Sequence, residues 1–431
     1  MGHPATGQRH YPWALSQVRA KQDGMKLRVT AMMCVFVLAC AGALRAQTPD
    51  ALHEMYESNQ AFALRDAVEH ALPPLFYRGV AAESMNQVGL ARKSLHAFIA
   101  TNPHSKDAFD AHELLGNLYF RNGLYREAFA ELEAAHAEKP DSADVNNMLP
   151  LFRALAESPD MQVVQRKSTR LMRVGEDRRS MPVEINGKQV TYGFDTGAAL
   201  SVMGEADARL LGLTVKKTAT NLSESSGSGV PGVSLAVAED LLIGGLHLRN
   251  VPFFVMQDTG EPFVGVPVAS RGLIGLPVLL AMQAVRWAPA GLFEFGSTAR
   301  LKEPVTRNLL FHGASPIVQV GVEDKVLTFS LDTGAVDTDL NEGFAKKFPE
   351  LVAAGQKESH AITGMGGSNK YDSVLLGPVV FRLAGRDVTL KAPHVFVSHS
   401  LGNWDGNLGN DILHQAKKVT LDFTAMGLSM E

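Results

Sequence analysis

Cysteine is almost missing from this sequence of 431 residues: only Cys34 and Cys40 occur, both in one apolar run near the N-terminus. Everything after Cys40 is therefore without disulfides, thiolate chemistry or cysteine-held metal. An excess of one charge is missing too. Lys and Arg number 41 against 45 Asp and Glu, a formal net charge of −4 with no basic block, which argues against nucleic acid as a partner. The histidines form no HExxH, and no Gly-x-Ser-x-Gly elbow is present, so zinc-peptidase and serine-hydrolase chemistry lack their spacing motifs. His104, His112, His136, His394, His399 and His414 are scattered and read as surface or core residues rather than ligands. No metal, nucleotide or organic cofactor is implied.

The longest apolar stretch, residues 29–43, is short for a transmembrane helix. It follows the basic MKLR that begins at Met25 and precedes the small residues AGALRAQ, the plan of a secretory signal peptide over residues 25–46. Cleavage after Ala43 or Ala46 is one reading. Processing at VLAC, with Cys40 lipidated, is another, and an uncleaved anchor is a third. Residues 1–24 precede a plausible start at Met25 and read as an over-long N-terminus. The protein is expected outside the cytoplasm: periplasmic, secreted or lipid-anchored, with membrane contact only if Cys40 is lipidated.

Residues 51–160 show apolar positions at three- and four-residue spacing with almost no β-branched runs, which predicts helices. Gly116, Tyr119, Gly123, Tyr125, Ala128, Leu132, Ala135 and Pro140 resemble the signature positions of a tetratricopeptide repeat, and Gly79, Ala82, Ala91, Leu95, Phe98 and Pro103 echo them 37 residues earlier. A plain bundle of helical hairpins remains the alternative. Because these repeats share no motif with the C-terminal remainder of the chain, a chain starting near Met161 is expected to fold without them.

From about Met161 the texture becomes short β-branched and aromatic runs around Gly, Asn and Asp turns. This region contains itself twice. YGFDTGAALSVM around Asp195 returns as FSLDTGAVDTDL around Asp332, 137 residues later. Gly227 and Gly229 return at the same offset as Gly364 and Gly366, and GLIGLPVLL returns as GNLGNDIL. A lone Asp-Thr-Gly can mark an ordinary turn; a register of glycines shared by two copies asks for more.

The duplicated region resembles a retroviral-type aspartic protease fused in tandem, as in pepsin-like enzymes. The resemblance rests on FDTGA and LDTGA, on TGMGG (Thr363, Gly364, Met365, Gly366 and Gly367) as a flap tip, and on LIG and NLGND behind the aspartates. It implies a multidomain α plus β chain: the helical, tetratricopeptide-like region, then a mainly β, two-lobed acid-protease fold with lobes at 161–300 and 301–431. It implies that Asp195 and Asp332 are catalytic and share a proton. Thr196 and Thr333 would interlock the two loops, and Gly197 and Gly334 would leave room for the carboxylates. Gly227, Gly229, Thr363, Gly364, Met365 and Gly366 would form flaps over a peptide or protein substrate. SGSGVPG in the first lobe departs from the flap pattern and contains Pro231. Met365 either touches substrate or packs the closed hairpin. Ala198 and Ala335 stand where pepsin-like enzymes carry a hydroxyl that donates to the aspartate, so the dyad should titrate higher than theirs. The expected function is aspartic endopeptidase; the alternative is a catalytically idle envelope scaffold whose repeats bind a partner protein. Pairing of like lobes between two chains is a further arrangement.

Overall fold

A computed structural model of the chain describes residues 48–69, 72–175, 179–221, 229–230, 232–260, 262–397 and 404–431. The signal-like segment, both cysteines, Gly227, Pro231 and His399 lie outside the described residues. Among those described, no helix is long and apolar enough to cross a membrane.

The N-terminal region is helical. Leu75–Ser84 pairs with Val88–Thr101, Lys106–Arg121 with Tyr125–Glu138, and Ala143–Ala156 closes the series. Ser105 and Ser142 cap their helices through hydroxyls that accept the Ala108 and Val145 amides. The small residues sit where helices approach: Ala91, Ala128 and Ala135 are fully buried, and any Cβ on Gly79 would overlap the Leu95 side chain.

The remainder is mainly β. In the first unit, Met181–Ile185 and Lys188–Phe194 form a hairpin whose turn residues Asn186 and Gly187 take positive φ (49° and 76°), the left-handed conformation that Asn and Gly tolerate best. In the second unit, Ser315–Val322 and Lys325–Leu331 form its counterpart. The strands KQVTYGF and KVLTFSL bury the same alternate positions, Val190, Tyr192 and Phe194 in one and Leu327, Phe329 and Leu331 in the other. Each hairpin belongs to its own large sheet. A third, five-stranded sheet joins the units, pairing Ala284–Trp287 with Val419–Asp422. One apolar core runs through both units; beneath the first Asp-Thr-Gly loop, Phe194 packs on Trp287 and Phe293 with ring centroids 5.3 and 5.1 Å apart.

The helical region shares an apolar core with the first unit. Its core residues, including Leu115, Leu132 and Leu151, form one cluster with Ala198, Leu200, Val202, Val233 and Phe254 of the first unit. Polar ties add to this. Asn147 and Asn221 exchange two hydrogen bonds (2.8 and 3.1 Å), and Arg121 donates to the Gly313 carbonyl at 2.8 Å. The helices therefore support the stretch that immediately follows Asp195.

Candidate active site

Each aspartate sits at the end of an apolar strand where the ladder runs out. Phe194 pairs in parallel with Ile274, and Leu331 with Leu408. The amides of Asp195 and Asp332 continue those ladders, donating to the Ile274 and Leu408 carbonyls at 2.9 and 3.0 Å. The chain then turns through Thr-Gly-Ala, and the amides of Leu276 and Asn410, each at the start of a short helix, bond back to the carbonyls of Ala198 and Ala335. The two loops are thus built alike, as their duplicated sequence requires.

They meet face to face. The Thr196 amide donates to the Thr333 hydroxyl at 3.0 Å and the Thr333 amide to the Thr196 hydroxyl at 3.1 Å. Each hydroxyl then donates to a carbonyl of the opposite loop, Thr196 to Leu331 at 2.7 Å and Thr333 to Phe194 at 3.4 Å. This interlock brings Asp195 and Asp332 into hydrogen-bond contact through their side chains. The glycines permit it. A Cβ on Gly197 would lie 2.8 Å from the Asp332 carboxyl carbon, and one on Gly334 would lie 2.5 Å from Asp195 Oδ2, so no residue with a side chain fits at either position.

The two carboxyls differ in surroundings. Gly197 N–H donates to Asp195 Oδ1 at 2.8 Å, and the Gly334 amide reaches Asp195 across the interface. Asp332 Oδ1 accepts from Gly334 N–H at 2.8 Å and Ala335 N–H at 3.0 Å, while Oδ2 accepts from the Asn407 amide at 3.3 Å. Burial, followed by the charge of Asp332, holds the Asp195 carboxyl well above the usual carboxylate range, and the Gly197 and Gly334 amides oppose that rise. Asn407, its partner Ser330 and the nearby Asp339 were missed by motif reading. Laying NLG over LIG does show Asn407 in place of Leu273.

The second-unit segment expected to be a flap is a hairpin of Gln356–Gly364 and Gly367–Leu375, with Gly364 opposite Gly367 and Met365-Gly366 at the tip. Thr363 Oγ1 donates to Ser368 Oγ at 3.0 Å just below that tip. Met365 packs against the cluster shared by the helices and the first unit, which favours its packing role. Of the first flap, Gly229 is described, with φ 70°, and Gly227 is not. Asn221, at the base of that segment, is the residue held by Asn147.

Glu358, His360 and His394, near the root of the second flap, bring three potential donor atoms within 4.8 Å of one another. The two imidazoles stack face to face, centroids 3.6 Å apart and planes 22° apart. The nitrogen lone pairs therefore lie in two nearly parallel planes, whereas ligands of one ion must converge on it. Burial and His360 lower the pKa of His394, while Glu358, whose Oε1 lies 3.0 Å from His394 Nδ1, opposes that shift.

Comparison with known proteins reaches the first Asp-Thr-Gly loop. Residues 181–278, which carry the first Asp-Thr-Gly loop and the helix behind it, match the family model described as Aspartyl protease. No curated protein matches the chain. Among solved structures, a retropepsin-like aspartic protease from Rickettsia conorii is 19% identical, over 31% of this chain and 92% of that one, with a TM-score of 0.24. The chain is a helical region followed by a mainly β region, of which residues 181–278 are similar to the aspartyl protease family.

Proposed function

We propose that this chain is an aspartic endopeptidase with a single cleft between two lobes, each supplying one catalytic aspartate. The observation that carries the reading is the threonine interlock, which holds Asp195 and Asp332 together within one chain. Two carboxyls so close do not both ionise readily, and they share one proton. The ionised member takes a proton from water as the water oxygen bonds to the scissile carbonyl carbon. The carbonyl π pair moves onto its oxygen, which takes the proton of the other carboxyl. On collapse, the first carboxyl gives its proton to the departing nitrogen as the C–N bond breaks. The second recovers its own proton from the hydroxyl as the carbonyl re-forms. Atoms and charges return to the start.

The substrate is an extended peptide, hydrogen-bonded like an added strand beneath the flap whose tip is Met365. The helices follow the tetratricopeptide pattern and add a surface for a protein partner. The chain is exported, with its N-terminus removed between Cys40 and Gln47, and mass spectrometry of the native protein decides between cleavage and lipidation at Cys40. The function itself is tested by cleavage of an unstructured peptide library from pH 3 to 8. Product formation abolished by Asp195→Asn supports the peptidase. A folded chain that cleaves nothing across that range turns the reading to the idle scaffold.

A further inference from the structure

The two units differ in one row of side chains beside the dyad. In the second unit, Ser330 pairs with Asn407 in the parallel ladder, and Asn407 pairs with Asp339 in the antiparallel one. The corresponding row of the first unit is Gly193, Leu273 and Val202. Residues directly opposite one another in a ladder share a face of the sheet. A polar row therefore flanks Asp332 where a small and apolar row flanks Asp195. Ser330 Oγ donates to Asn407 Oδ1 at 2.6 Å. With its oxygen so engaged, the amide presents its NH2 to Asp332 Oδ2 at 3.3 Å. Glycine and leucine offer no such donor to Asp195.

We propose that Asn407, oriented by Ser330, is a positioning residue that keeps the shared proton on Asp195 and leaves Asp332 as the ionised base. The inference rests on the peptidase reading above and assigns its two roles. A donor aimed at a carboxyl oxygen favours the charged form. Only a small difference between the sites is needed: a tenfold bias in proton occupancy corresponds to about 1.4 kcal/mol. Asp332 thus deprotonates the water, and Asp195 protonates the carbonyl oxygen. The missing hydroxyls at Ala198 and Ala335 are then compensated on one side only.

Asp332 faces acids: Asp195 across the interface and Asp339 in its own unit, and Asp339 in turn faces Asp337 and Asp411. Asp339 is pushed up to about 7, by burial first and then by Asp337, Asp411 and Asp332, so its titration must be separated from the dyad's.

The test is carboxyl 13C NMR of the full chain through a pH titration, alongside the pH profile of peptide cleavage. In the wild type, the Asp195 carboxyl should read as protonated and Asp332 as ionised between the two limbs. Asn407→Leu, which copies the first unit, should move the acidic limb up by about one pH unit and make the two carboxyls titrate together. Ser330→Ala, a smaller change, should do the same to a lesser degree. Asn407→Leu with Gly193→Ser and Leu273→Asn should transfer the proton to Asp332. All shifts should persist in an Asp339→Asn background. A proton on Asp332 in the wild type, an unchanged titration in both folded Asn407 and Ser330 variants, or a shift that vanishes with Asp339 would each overturn the proposal. If the wild type cleaves no peptide, the peptidase reading falls, while the NMR titration still decides where the proton resides.

Discussion

Thr196 and Thr333 hold one another across the interface, the amide of each donating to the hydroxyl of the other at 3.0 and 3.1 Å. Both side chains are buried, with 0% and 8% of their surface exposed, so water does not replace a lost bond. Thr196→Val keeps the shape but leaves the Thr333 amide and the Leu331 carbonyl unpaired. Each orphaned group costs on the order of 1–3 kcal/mol. Thr333→Val should cost less, because its hydroxyl meets the Phe194 carbonyl at 3.4 Å rather than 2.7 Å. Urea unfolding should rank the variants in that order, and both should lose peptidase activity beyond what the stability loss explains. Equal and negligible effects would mean that the interlock does not hold the loops together.

If the two carboxyls act as one unit, neither works alone. Asp195→Asn and Asp332→Asn should each remove activity by at least about a thousandfold, and the double variant should be scarcely worse than either single. Both single variants should stay folded, since each relieves a like-charge contact. The wild-type profile should be bell-shaped, its limbs belonging to the pair. Activity that survives Asp195→Asn but not Asp332→Asn would point instead to second units pairing between chains.

Much of the site was legible in the sequence. Asp195 and Asp332 stood out because a repeat of 137 residues carried whole loops, not one tripeptide. The turn at Asn186-Gly187 was readable because few residues other than Asn and Gly adopt positive φ cheaply. Asn407 was visible as a difference between the copies, yet its meaning depends on which side chain lies beside it. That is set by a parallel ladder to Ser330, 77 residues away. The burial of Ala198, Leu200 and Val202 against helices was not readable at all, because the same residues would serve equally well inside a lobe.

Stability should fall as the solution is made alkaline. Burial is the first cause that pushes Asp110 up to about 6 and Glu113 up to about 8; it also raises Asp339 to about 7. Unfolded carboxyls titrate near about 4. The folded chain thus keeps protons that the unfolded chain has already released. The resulting stabilisation is complete below about pH 4 and is lost as the pH rises through 6 to 8. Urea midpoints should decline over that window, and Glu113→Gln should flatten the upper part of the curve. At pH 8.5 the variant should exceed the wild type by on the order of 1–3 kcal/mol. A wild-type curve that rises from pH 5 to 8.5 would contradict the assignment.

Arg121 carries the last prediction because it ties the helices to the second unit. Its side chain is fully buried and ion-pairs with Glu83 of the neighbouring helix. The same guanidinium donates to the Gly313 carbonyl and lies over the Phe311 ring, 5.0 Å from its centroid. Arg121→Met would strand the Glu83 carboxylate without its cation, at a cost of about 3–5 kcal/mol. Arg121→Met with Glu83→Leu removes both charges and should recover most of that loss, since a buried pair often stabilises no more than apolar residues of similar size. Cutting the helices away altogether is a different matter. A chain beginning near Met161 would expose Leu200, Val202 and Phe254, all of them buried in the shared cluster. It should bind a hydrophobic dye, aggregate at micromolar concentration and cleave peptides poorly, because the stretch after Asp195 loses its support. Near-UV dichroism and sedimentation of the two chains decide it. If the shortened chain is monomeric, rigid and fully active, the shared core contributes nothing to the cleft, and the helices are the separable platform that their motifs suggested.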